Sequence, residues 1–104
     1  MKTLLAILLT GAFLIATPVA NAKDVAPLLQ KAGCIACHST DKKILGPSFK
    51  EVSAKYKGKS METAMIKKVR DGGSGAWGPM PMPSNEGKLT DDEFKSVVEW
   101  ILSL

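Results

Sequence analysis

Apolar residues fall along this chain as one long block followed by four short stripes. The block runs from Leu4 to Ile15, interrupted only by Thr10 and Gly11, and closes at Pro18. Beyond it, Val25, Leu28, Leu29 and Ala32 recur at the spacing that puts side chains on one helical face. Asp24 can cap this first helix, Pro27 is tolerated in its first turn, where an N–H would be unpaired, and Gly33 ends it. A second stripe, Phe49, Val52 and Tyr56, starts at Ser48 and is broken by Gly58. A third, Met61, Ala64, Met65 and Val69, opens at Ser60 and stops at Gly72-Gly73. Thr90 with Glu93 three residues on has the form of a capping box, and Phe94, Val97, Val98, Ile101 and Leu102 follow at helical spacing. That last stripe must bury itself, and the first helix is its expected partner. No segment shows strand alternation and no repeat is present. The pattern predicts an all-α fold of about four short helices, with a Gly/Pro-rich stretch from Gly72 to Gly87 too long to be idle.

The first block decides how much of the 104 residues belongs to that fold. Lys2, the apolar run and the small-residue triplet Ala20-Asn21-Ala22 come in the order of a secretory signal, with cleavage expected after Ala22. A membrane anchor is the competing reading. A spanning helix needs about 20 apolar residues, and this run is shorter. No cysteine near the cleavage point offers a lipid anchor. Residues 1–22 are therefore expected to be a signal peptide and 23–104 one exported domain without an anchor. A domain this small commonly leans on a disulfide, metal or cofactor. The 14 basic residues exceed the 10 acidic ones. Removal of Lys2 narrows that excess, and Glu51, Glu62 and Asp71 are interspersed with the cations, so the charge does not point to nucleic acid.

Chemistry concentrates first in Cys34-Ile35-Ala36-Cys37-His38. Cys-x-x-Cys-His is the attachment pattern of a c-type haem. Two thiols one helical turn apart can add to the two vinyl groups of the porphyrin, and the adjacent imidazole then fills one axial position of the iron. His38 is the only histidine in the chain. Three other readings compete. A Cys34–Cys37 disulfide would suit an exported oxidoreductase, although the βαβ pattern that usually accompanies it is absent. Zinc would need four ligands, and two cysteines with one histidine fall short. A chance match is the third.

The second concentration is Trp77-Gly78-Pro79-Met80-Pro81-Met82-Pro83-Ser84-Asn85. A methionine thioether can take the other axial position, which favours Fe(II) and raises the potential. Most methionines merely fill cores. A methionine between two prolines cannot sit on a helix face or in a central strand, and the prolines fix the backbone that presents it. Met80 and Met82 are both candidates.

Cys34-x-x-Cys37-His38, Gly46-Pro47-Ser48-Phe49-Lys50 and Trp77-Gly78-Pro79-x-Pro81-Met82-Pro83-x-Asn85, in this order and spacing, resemble the bacterial cytochrome c-551/c-552 group of class I cytochromes c. Asp92 to Leu104 is similar as well. The resemblance implies a small class I fold of about four helices around one covalently attached haem c. It makes Cys34 and Cys37 the thioether anchors, His38 the proximal ligand and Met82 the distal one, with Met80 packing on the haem edge. Pro47 matches a proline whose carbonyl accepts a bond from the axial imidazole; the plain alternative is a turn proline. Trp77 matches a tryptophan whose indole N–H bonds a haem propionate, against simple packing. Asn85 matches an asparagine that steadies the methionine loop, against a solvent-facing turn residue. Lys68 falls where the group places a basic propionate partner, with Arg70 nearby; either could be a solvated charge. The chain departs from the pattern at Ser84, often proline, and by a small length change in the third helix, which blurs the alignment at Lys68.

The function implied is that of a soluble periplasmic electron carrier, not an enzyme. It would pass single electrons between donor and acceptor redox proteins, periplasmic or membrane-bound, such as cytochromes and a terminal reductase or oxidase. A monomer is expected, and no nucleic-acid partner. Lysines 42, 43, 50, 55, 57 and 59 would speed docking to an acidic partner if they ringed the haem edge; a solvated charged face is the alternative. Two other function classes stand against this one. A haem-based peroxidase or gas sensor requires a labile sixth ligand, and no second histidine supports peroxide chemistry. A small thiol–disulfide protein would fold without haem.

Overall fold

The computed structural model describes residues 11–15 and 24–104. The expected leader lies outside the described residues except for 11–15, as does the cleavage point after Ala22. Four helices follow, α1 (Ala26–Lys31), α2 (Phe49–Tyr56), α3 (Glu62–Asp71) and α4 (Asp91–Leu102), with a 3-10 turn at Cys34–Ala36. Two strands, β1 (Gly73–Gly75) and β2 (Gly78–Met82), pair antiparallel between α3 and α4. No helix among the described residues is long and apolar enough to cross a membrane.

Local chemistry sets two of the helix starts. Thr90 accepts from the Glu93 N–H at 3.2 Å while the Glu93 carboxylate accepts from the Thr90 N–H at 2.9 Å. Ser48 and Glu51 repeat the reciprocal pair at the head of α2, at 3.1 and 2.8 Å. Each such cap contributes about 1 kcal/mol by satisfying N–H groups that the first turn leaves without partners. Two expected starts are displaced. The backbone cap of α1 is Val25, and Asp24 instead accepts from the Ala26 N–H at 3.1 Å. Ser60 sits at a left-handed φ of 55°, so Met61 caps α3.

Phe94, Val97, Val98 and Ile101 of α4 form the centre of the core, joined by Val25, Leu29 and Ala32, by Phe49 of α2 and by Met65 of α3. The stripe is wide enough to meet three neighbours, and α4 packs on α3 and α2 more extensively than on α1, the partner expected from sequence. The four expected helices are thus present in a mostly helical fold. The hairpin was not expected. Strand alternation signals one buried face, and here all of β1 is exposed while only Gly78 and Met82 of β2 are half-buried. Its base depends on Gly72, at φ 75°: a Cβ there would lie 2.4 Å from the Met82 carbonyl oxygen. Only glycine lets the second strand cross so close to the end of α3.

Candidate cofactor site

Gly33, at φ 74°, turns the chain out of α1 and into the 3-10 turn that carries Cys34, Cys37 and His38. The His38 N–H closes that turn on the Cys34 carbonyl at 2.9 Å. Both cysteines are free thiols and half-buried, and burial pushes the Cys34 thiol above its ordinary pKa. His38 Nδ1 lies 2.7 Å from the Pro47 carbonyl oxygen. A carbonyl can only accept, so Nδ1 carries the hydrogen and Nε2 keeps a free lone pair, the form in which imidazole ligates a metal. The ring stacks on Phe49 with centroids 5.3 Å apart, and Phe49 in turn meets Trp100 of α4 edge-on at 5.3 Å. The intervening loop is pinned by backbone bonds from Gly46 N–H to Cys37 C=O and from Phe49 N–H to Ser39 C=O, each 2.9 Å.

Gly46 closes this side of the site. A Cβ at that position would stand 2.4 Å from Cε1 and 2.8 Å from Nδ1 of His38. In the sequence Gly46 stands out only as part of the Gly46-Pro47-Ser48-Phe49-Lys50 block; its steric need shows once the ring is in place.

The methionine side is built differently. β2 carries Met80 and Met82; Met80 is 60% exposed and Met82 half-buried. Asn85 fixes the segment beyond them. It is only 6% exposed, which removes the reading of a solvent-facing turn residue. Its side chain donates to the Val69 carbonyl at 2.9 Å and its backbone N–H to the Arg70 carbonyl at 2.9 Å, tying the loop to the end of α3. Ser84 adds a bond to the same Arg70 carbonyl at 3.1 Å.

Between the two sides lies a cavity of about 610 Å³, within the roughly 300–1,000 Å³ of small-molecule and cofactor sites. Cys34, Cys37, His38, Pro47, Lys68, Trp77 and Met82 all line it, and Met80 does too. Asn85 is not among the lining residues. Val52, Met65, Val97 and Ile101 give the cavity an apolar wall from three helices. An apolar slot with two free thiols, one imidazole lone pair and a thioether is the donor set and shape that a covalently attached haem requires. Zinc finds no such set: among the described residues no three His, Cys, Asp or Glu side chains gather at one point.

Several charges fall elsewhere than the sequence suggested. Arg70 turns from the cavity to α4, its guanidinium 2.5 Å from Asp91 and over the Phe94 ring at 5.0 Å. Of the six lysines considered for docking, Lys50 pairs with Asp41, Lys55 donates to the Ala76 carbonyl at 2.9 Å, and Lys57 donates to the Leu104 oxygen at 3.1 Å. These three are held by contacts within the chain. Lys43 lines a neighbouring recess that it shares with Trp77 and Met80.

A family model described as cytochrome c matches residues 22–104. The chain belongs to the cytochrome c family. It is 40% identical to cytochrome c-551 of Pseudomonas aeruginosa over 101 residues, covering 96% of this chain and 93% of that one. It is similar in structure to cytochrome c552 of Nitrosomonas europaea, with a TM-score of 0.70 and 40% identity over 76% of this chain and 98% of the other. The class 1 cytochrome MtoD of Sideroxydans lithotrophicus matches with a TM-score of 0.65 and 31% identity over 76% of this chain and 90% of that one. This small c-type cytochrome is accordingly an electron carrier rather than an enzyme, and its cofactor is covalently bound haem c.

Proposed function

We propose that this cytochrome is an exported, periplasmic carrier of single electrons whose haem iron is held between His38 and Met82. Bound haem supplies the one-electron Fe(III)/Fe(II) exchange. Cys34 and Cys37 anchor it as thioethers. His38 presents Nε2, and the Pro47 carbonyl holds the ring in that tautomer and makes it a better donor. Met82 presents a soft, neutral sulfur that favours the reduced state. Trp77 and Lys68 offer an N–H and an ammonium to the propionates, and Asn85 steadies the segment that carries Met82. His38 and Met82 would both be committed to holding the haem, so the residues of the site would orient and shield it and not catalyse. Residues 1–22 direct export, and the domain from 23 to 104 meets periplasmic or membrane-bound redox proteins as a monomer.

The observation that carries this reading is the convergence of His38, hydrogen-bonded at Nδ1 to Pro47, and Met82 on one apolar cavity with both thiols. Substitution of the two methionines tests it. Met82→Ala should abolish the thioether-to-iron charge-transfer band of the ferric protein and lower its potential sharply, while Met80→Ala should leave both nearly unchanged. The opposite pattern refutes the assignment. N-terminal sequencing of the periplasmic protein should begin at Lys23; an intact Met1 refutes export by cleavage.

A further inference from the structure

The hairpin that carries Met82 has little of its own to hold it down. None of residues 73–82 belongs to the buried core, and one face of the hairpin, Ala76 and Trp77 at its turn included, lines the cofactor cavity. Segments with few buried apolar contacts open at low free-energy cost. The base of the hairpin is secured by Asn85, Ser84 and the close crossing at Gly72. The tip is secured from α2, and its only polar tie there is Lys55. Lys55 donates from Nζ to the Ala76 carbonyl at 2.9 Å, and the same ammonium lies 4.4 Å from the centroid of the Trp77 ring. Among the described residues this is the only side-chain hydrogen bond from the rest of the chain to residues 73–82. Tyr56, the next residue along, meets Trp77 edge-on at 6.2 Å and an interplanar angle of 87°.

Both Lys55 contacts depend on its charge. A cation over an aromatic face is attracted by the ring quadrupole, and an ammonium donates a stronger bond to a carbonyl than a neutral group does. Trp77 immediately precedes β2, and the β1–β2 ladder runs from Gly75–Gly78 at the tip to Gly73–Met82 at the base. Pro79-Met80-Pro81 bulge opposite Ser74 between those two pairs, so freedom at the tip reaches Met82 along a short ribbon paired at both ends. We propose that Lys55 is a positioning residue, a latch that holds the methionine hairpin closed over the haem and so sets how readily Met82 leaves the iron. The proposal rests on Met82 being the axial ligand. It also removes Lys55 from the cations available for docking.

Imidazole, added to the ferric holoprotein, competes with the thioether for iron and reads how often the hairpin opens. Lys55→Gln should bind imidazole about fivefold more tightly than wild type, the loss of roughly one cation–π contact. Lys55→Arg, which keeps the cation, should return most of that change. Lys42→Gln, which removes an exposed charge away from the hairpin bonds, should bind as wild type does. Unfolding of the same proteins, followed by circular dichroism, separates the latch from a general role in α2. A lower unfolding midpoint in Lys55→Gln with unaltered imidazole affinity overturns the proposal, as does an equal gain in affinity in Lys42→Gln. A thioether band missing from wild type, or persisting in Met82→Ala, overturns the ligand assignment and the latch with it. A band present in wild type and lost in Met82→Ala, with Lys55→Gln unchanged, overturns the latch alone.

Discussion

The two sides of the haem cavity are made of different material. The histidine side is over-determined. Its ring is fixed by a 2.7 Å bond to Pro47, by stacking on Phe49 and by the absence of a side chain at Gly46, and its loop is closed by backbone bonds and by the Ser48–Glu51 cap. The methionine side is a glycine-rich ribbon that adds no side chain to the buried core, tied at its base by Asn85 and at its tip by Lys55. With His38 and Met82 as the proposed ligands, a carrier built this way would keep one of them rigid and place its conformational freedom on the other. Under stress the thioether should leave first, because local opening follows the contacts that are fewest.

Matched glycine substitutions would break that contrast most severely. In Gly46→Ala the new methyl meets a pinned ring at 2.4 Å, so either the His38–Pro47 bond or the loop must give. The expected cost is about 3 kcal/mol, at the upper end for overpacking, measured by denaturant unfolding of the holoprotein. Gly72→Ala drives a methyl into the Met82 and Pro83 backbone at φ 75°, so the base of the hairpin must part from α3. The expected cost is again about 3 kcal/mol, but with early loss of the thioether band. A thioether band as persistent in Gly72→Ala as in Gly46→Ala would erase the difference between the two sides.

Asn85→Ala sharpens the same comparison with a smaller change. It leaves the Val69 carbonyl without its 2.9 Å partner at a site that is 6% exposed. Deleting one member of a buried hydrogen bond costs about 1–2 kcal/mol. The thioether band should be lost at lower denaturant than the helical signal, because the base of the hairpin frees before the core. Coincident loss of both signals would show that Asn85 serves the whole fold equally.

How much of this could be read from sequence followed the range of the interactions. The caps at Ser48 and Thr90, the stops at Gly33, Gly58 and Gly72 and the stripe of α4 are short-range patterns and stood out in the chain. Cys34-x-x-Cys37-His38 was legible because covalent chemistry fixes its spacing. The hairpin was not, since it buries no alternating face and is paired only through the backbones of Gly73 with Met82 and Gly75 with Gly78, around the bulged Pro79-Met80-Pro81. Arg70 looked equivalent to Lys68 because a helix places both near one end; only the fold of α4 shows Asp91 drawing Arg70 away. Gly46 belonged to a block that marked the resemblance, but its steric role depends on a ring that only the folded loop brings behind it.

The smallest expected effect concerns the joint that both sides share. Glu93 links α1 to α4 through Lys31 Nζ at 3.2 Å while its carboxylate caps α4. The Thr90 N–H first, and Lys31 second, hold the Glu93 carboxyl below its ordinary pKa. A folded-state pKa lower than the unfolded one means that the unfolded chain binds the proton more readily, so the contribution is fully present above the ordinary carboxylate range and is lost as pH falls through the lowered value. Glu93→Gln keeps an oxygen for the Thr90 N–H but has no charge to lose. Near neutral pH it should be slightly less stable than wild type, and in acid the difference should shrink towards nothing. Because this joint lies behind the core and touches neither ligand, acid acting through it should shift the thioether band and the helical signal together. An acid-induced loss of the band that Glu93→Gln leaves untouched would show that a titrating group outside this joint loosens the hairpin, since residues 73–85 carry no Asp, Glu or His of their own.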